Sequence, residues 1–142
     1  MIDFSIQRLI RNKPAFFKKE YADNWESNSG TLDDLAELVK KGYAFVPVKM
    51  KSSHRNSMAF ESSSLVVVDI DSGQTIDDFK EHKLHPFACW AYTTPSHYPA
   101  EGKHRFRVIF KLPEIIHDAD IYREIVKILI NELGGDTSCT DP

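Results

Sequence analysis

Two aspartates with one isoleucine between them close the stretch "LVVVDIDSG", residues 65–73. In an extended strand alternate side chains share a face, so Asp69 and Asp71 project together, about 6–7 Å apart along the chain. Unpaired carboxylates that close repel each other and resist burial. A divalent cation removes the conflict. Hard Mg²⁺ takes carboxylate oxygens together with substrate phosphates. A pair of such ions, about 4 Å apart, clamps the attacking and leaving oxygens of a phosphoryl transfer. Standing alone, the D-x-D pattern equally fits acids solvated at a strand exit, or one acid capping the next helix. The apolar run ahead of it favours the metal reading, and Ser72-Gly73 lets the backbone turn close by.

Other groups with phosphate chemistry follow. In "TTPSH", Ser96 and His97 come directly after Pro95, whose ring fixes the backbone. A hydroxyl and an imidazole there can hold nucleotide phosphates; alone, the same residues read as a surface loop. "HRFRVIFKL" alternates, with Phe106, Val108 and Phe110 on one face and Arg105, Arg107 and Lys111 on the other. Guanidinium suits bidentate contact with phosphate, although a half-exposed strand with a solvated basic face has the same pattern. Asp136 in "GGD" would join Asp69 and Asp71 as a third ligand, with Asp141 as its rival. Arg55, Lys49 and Lys51 form a separate basic cluster, which mobile-loop charge would also explain. His82, His85 and Cys89 are spaced like zinc ligands, needing a fourth from His97, His104 or Cys139. Cys89 sits mid-strand among apolar residues and reads as core.

The elements that must position these groups are legible in part. A short helix is expected around Phe4–Arg11, stopped by Pro14, followed by the aromatics Phe16, Phe17, Tyr21 and Trp25 and a turn-rich "ESNSG". Thr31, three residues before Asp34, opens a helix carrying Leu32, Leu35, Ala36, Leu38 and Val39, which Gly42 stops. "YAFVPVKM" (43–50) is a strand whose Pro47 asks for an edge. "SLVVVDID" (64–71) reads as a strand buried on both faces. A helix from Thr75 to Lys83, strands over 87–94 and 104–112, and a helix from Asp118 or Asp120 to Leu133 follow. The last helix shows Ile121, Ile125, Ile128 and Leu129 on one face, and Gly134-Gly135 ends it. From residue 64 the order is β-α-β-β-α, five of the six elements of a split βαβ, ferredoxin-like unit. The sixth, a strand near Thr137, would lie beside the first and bring Asp136 to Asp69. The fold class is therefore α+β, with a small helical part over 1–42 and the core over 43–142, forming a single domain.

Composition bounds the rest. The 142 residues are enough for one domain with a real core, and 42% apolar with 27% charged residues indicates a folded chain. Net charge is −3, with ten Lys/Arg against seven Asp/Glu in residues 1–60 and eight against fourteen beyond. A locally basic groove remains compatible with that balance. Two cysteines give no disulfide framework and point to a reducing cytoplasm, and no apolar run is long enough for a membrane span. The ending "GGDTSCTDP" reads as an N-terminal fragment of a longer protein.

The ordered trio "VVVDID", "TPSH" with "HRFRVIF", and "GGDTSCTDP" resembles the archaeo-eukaryotic primase superfamily, in particular the primase-polymerases of plasmids, phages and mobile elements. The resemblance covers residues 43–142. It implies an RRM-like sheet joined to an N-terminal module. Asp69, Asp71 and Asp136 would bind two Mg²⁺ or Mn²⁺ ions, and His97 would contact the triphosphate of an incoming NTP or dNTP. Ser96 and an arginine from 105 or 107 would help. The reaction would be attack of a 3′-hydroxyl on the α-phosphate, directed by a single-stranded DNA template, with a helicase beyond the C-terminus as a partner. The family's second motif usually places one residue between the small residue and the histidine. Here Ser96 and His97 are adjacent while His104 precedes the strand, so both histidines are candidates. Two other classes fit the residues: a metal-dependent nuclease, and a non-catalytic RRM-like module stacking bases on Trp90, Tyr92 and Phe106.

Overall fold

The computed structural model describes residues 1–11, 22–56 and 58–135. Pro14, Phe16, Phe17, Tyr21, Asp136, Cys139 and Asp141 lie outside them. The fold is mixed α+β and divides into two compact units, Met1–Ser64 with Glu114–Ala119, and Leu65–Pro113 with the chain from residue 120.

The first unit is built on three antiparallel strands in the order β2-β1-β3: β1 (Ile2–Arg11), β2 (Trp25–Gly30) and β3 (Tyr43–Val46). The helix expected at Phe4–Arg11 is thus a strand, and so is the turn-rich "ESNSG". The reason lies in β1. Ile2, Phe4 and Ile6 alternate and are all buried, the signature of a strand. The other face of β1 is covered as well. Ser5 and Gln7 are buried there, and their side chains donate to the Val48 and Asp23 carbonyls, both at 2.7 Å. Partners of this kind make a buried polar face tolerable. The first helix, α1 (Leu32–Lys40), starts as expected. Thr31 accepts from the Asp34 amide at 3.1 Å and Asp34 accepts from the Thr31 amide at 2.8 Å. A two-residue strand, β4 (Lys49–Met50), lies past Pro47 and pairs Lys49 with Ser62 and Met50 with Phe60, at the beginning of β5 (Phe60–Ile70). The single strand expected over 43–50 is therefore two, divided at the proline, which has no amide to give a ladder.

From Leu65 onward β5 belongs to the second unit. There it is followed by α2 (Ile76–Lys80), β6 (Ala88–Thr93), β7 (Phe106–Ile116) and α3 (Ala119–Leu133). The strand order β5-β7-β6 is that of the first three strands of a ferredoxin-like sheet. Leu65, Val66, Val68 and Ile70 are buried, as the apolar run requires. Phe106, Val108 and Phe110 are buried on one face of β7, but Ile109 is buried too, so the alternation is less clean than the sequence suggests. Arg105 falls one residue before the strand.

The buried side of α3 differs from the expected one. Tyr122, Val126, Ile130 and Leu133 are buried, whereas Ile121 and Ile128 are 53% and 59% exposed. The helix has two apolar stripes, and the buried one contains Tyr122, whose hydroxyl donates to the Leu65 carbonyl at 2.9 Å. Tyr122→Phe removes one buried hydrogen bond at constant shape. Urea unfolding should show a loss of about 1 kcal/mol.

Candidate active site

Asp69 leaves β5 one residue before its end, and Asp71 lies one residue past it. Their environments differ. The Asp69 carboxylate, 28% exposed, is held by the Arg107 guanidinium through both oxygens, Oδ1 from Nε and Oδ2 from Nη2 at 3.4 Å. The Asp71 carboxylate is exposed and has no partner among the described residues. Strand β7 puts Arg107 there because its even-numbered neighbours Phe106 and Val108 are buried, turning position 107 to the opposite face.

Arg107 also reaches across to β6. It stands opposite Tyr92 in the ladder, Nη1 donates to the Tyr92 hydroxyl at 3.2 Å, and its guanidinium lies 5.9 Å from the ring centre. Burial works against the guanidinium's charge, but the Tyr92 hydroxyl and the Asp69 carboxylate outweigh it and hold the Arg107 pKa above its ordinary value. Burial and, less strongly, Asp69 push the Tyr92 pKa up against the pull of Arg107. The group is therefore a permanent cation between a carboxylate and a neutral phenol.

The loop after β6 folds into a turn in which the His97 amide donates to the Thr94 carbonyl at 3.0 Å, with Pro95 and Ser96 at its two central positions. The turn is tied to the approach to β7. The Thr94 amide donates to the Arg105 carbonyl at 3.1 Å, and the Arg105 amide donates to His97 Nδ1, also at 3.1 Å. A backbone amide can only donate, so Nδ1 carries no proton and the neutral ring bears its hydrogen on Nε2. His97 is thereby set as an Nε2–H donor. His104 lies edge-on to it at 5.8 Å between ring centres. Arg105 Nη1 donates to the Asp71 carbonyl at 3.0 Å and the His104 carbonyl at 3.3 Å, fastening the end of β5 to the start of β7.

The structure thus brings Asp69, Asp71, His97, His104, Arg105 and Arg107 together in the second unit, with Ser96 on the same turn. Arg55 is in the first unit, with its guanidinium 5.4 Å from the Trp25 ring. Asp136 follows Gly135, the last described residue. Gly134 adopts the left-handed conformation (φ 67°), and the Gly135 amide donates to the Ile130 carbonyl at 2.9 Å, a helix stop that only glycine makes cheaply. A Cβ on Gly135 would lie 2.7 Å from Val68 Cγ1 and 3.0 Å from the Asp69 carbonyl, so the chain passes directly over the strand that carries Asp69. Gln74 contributes without any sequence signal. Its side chain donates to the Leu133 carbonyl at 2.6 Å, tying the loop after β5 to the end of α3.

For the zinc-like spacing, His82 accepts from the Leu84 amide through Nδ1 at 3.0 Å and donates from Nε2 to the Glu132 carbonyl at 2.9 Å. Neither nitrogen is left to ligate. Among the described residues no group of three or more His, Cys, Asp and Glu side chains is placed to hold a metal ion, and no helix is long and apolar enough to cross a membrane.

No family model matches the sequence, and no curated protein does. A solved structure does match: the AEP domain of the cyanophage S-2L primase-polymerase, with a TM-score of 0.51 and 13% identity over 99% of this chain and 69% of that one. The fold is distantly like that of an archaeo-eukaryotic primase domain. At that identity the likeness concerns the path of the backbone, and it agrees with the β5-α2-β6-β7-α3 order of the second unit.

Proposed function

We propose that this chain carries the nucleotidyl-transfer centre of a DNA primase-polymerase. One observation carries the reading: two carboxylates at the end of β5 share a site with two arginines and a histidine fixed as an Nε2–H donor, on a fold like that of a primase domain. Acids alone would suit many sites. Acids beside phosphate donors suit a nucleoside triphosphate.

The oxygen donors of Asp69 and Asp71 fit Mg²⁺ or Mn²⁺, with Asp136 as a third ligand. Divalent ions bound there would neutralise charge on the phosphates and activate the attacking hydroxyl. The residues of the chain do the rest. His97 Nε2–H and the Arg105 guanidinium bind the β- and γ-phosphates. Ser96 adds a hydroxyl from the same turn, and His104 flanks the His97 ring. Arg107 keeps Asp69 oriented. The 3′-oxygen of a strand paired to a single-stranded template forms a bond to the α-phosphorus. The bond from the α-phosphorus to the bridging oxygen breaks, and pyrophosphate leaves.

Isothermal titration with dGTP and GTP, with and without Mn²⁺, tests the reading. Binding should require the ion, and His97→Ala should weaken it roughly 10- to 100-fold, the loss expected for a hydrogen bond to a charged group. A folded protein that ignores nucleotides and degrades DNA in Mn²⁺ would instead be a nuclease.

A further inference from the structure

Strand β6 carries a feature that the phosphate chemistry leaves unused. Trp90 and Tyr92 are two residues apart, so they share a sheet face. Their rings stack at 4.5 Å between centres and 28° between planes. Tyr92 stands opposite Arg107 and Trp90 opposite Ile109. The face therefore presents Asp69, Arg107, Tyr92 and Trp90 in succession across three strands, with the guanidinium against the phenol and the phenol against the indole. Ile109, on the same face beside Trp90, is fully buried, while both aromatic residues keep part of their surface open. Phe106, by contrast, is buried on the opposite face.

We infer that the Trp90–Tyr92 pair is the base-stacking platform for the incoming nucleotide. The inference rests on the nucleotidyl-transfer reading of the neighbouring site. Charge and length both favour this occupant. The phosphate donors His97 and Arg105 stand at one end of the face. Measured along β7 from Arg105, the position opposite Tyr92 lies about 7 Å away and that opposite Trp90 about 13 Å. A nucleoside triphosphate laid along the strand puts its terminal phosphates at the donors, its α-phosphate at the level of Asp69 and its base on the aromatic pair. Stacking holds any of the four bases by its π-face and leaves the pairing edge open to a template. Arg107 polarises the stack from the Tyr92 side, strengthening it.

The test compares dTTP with inorganic tripolyphosphate in Mn²⁺, following tryptophan fluorescence and calorimetry on the whole chain. The wild type should bind dTTP more tightly than tripolyphosphate, with quenching of Trp90. Trp90→Leu should weaken dTTP roughly 5- to 100-fold, the range for one stacked base, and leave tripolyphosphate unchanged. Trp90→Phe, which keeps a π-face, should retain most of the dTTP affinity and lose the quenching, because Trp25 is buried in the first unit. Equal dTTP binding by wild type and Trp90→Leu, without quenching, would overturn the platform while leaving the phosphate site standing. Binding of neither probe by the wild type would overturn both.

Discussion

On the proposed nucleotidyl-transfer reading, Asp69→Asn should lower primer extension by roughly 10³-fold or more, the effect expected when a ligand for catalytic ions is removed. The substitution has a second effect that must be separated from the first. It takes from Arg107 the carboxylate that grips it through two contacts, leaving a half-buried cation with only the Tyr92 hydroxyl. A partly unpaired guanidinium destabilises the sheet. Asp71→Asn provides the control. The Asp71 carboxylate has no partner among the described residues, so its loss should abolish extension while leaving the unfolding midpoint unchanged. If Asp71→Asn extends primers like the wild type, the acids at the end of β5 are not a catalytic pair.

Gly135→Ala is the second large effect, and it acts on stability. The new methyl meets Val68 Cγ1 at 2.7 Å and the Asp69 carbonyl at 3.0 Å. Neither can yield easily, since one belongs to a β-branched side chain in the core and the other is backbone. The cost should be about 2–3 kcal/mol, typical of overpacking, and the end of β5 should move, which would weaken the proposed metal-dependent nucleotide binding as well. Gly134→Ala separates contact from conformation. Its Cβ meets only the tips of Gln74 and Ser72, at 3.6 and 3.8 Å, so its cost is that of the left-handed backbone, about 1–2 kcal/mol. Gly134→Asn should recover part of that. Equal midpoints for Gly135→Ala and wild type would show that the chain does not pass over Asp69 as closely as described.

The second unit was the legible one. Its strands and helices announce themselves by local signals: the apolar run of β5, the Thr75 cap and the glycine pair after α3. Thr75 accepts from the Asp78 amide at 3.0 Å, and Asp78 returns the bond. The first unit was misread where local and tertiary signals conflict. Serine- and asparagine-rich β2 has no strand propensity. It is extended because β1 pairs with it from Ile2–Gly30 to Gln7–Trp25, and because the Ser27 and Ser29 hydroxyls find Ser5 and Asp3 across the ladder. In α3 the period was right but the stripe was wrong, since no count of apolar residues reveals that the Tyr122 hydroxyl has a carbonyl to meet. At the candidate site, residue types and spacing singled out Asp69, Asp71 and the arginines, and the fold places them in one unit. The Arg105 amide that fixes the His97 ring, and the end of α3 that Gln74 reaches, exist only once the chain has folded.

The grip of Arg107 on Asp69 has one more consequence. A cluster of acids that relied on ions for neutrality would be frustrated in their absence, and folding would wait on supply. Here the carboxylate brings its own tethered counter-charge, on the adjacent strand and in the same sheet. Charge balance at Asp69 therefore does not depend on a metal, and a cation bound as proposed would share that carboxylate with the guanidinium.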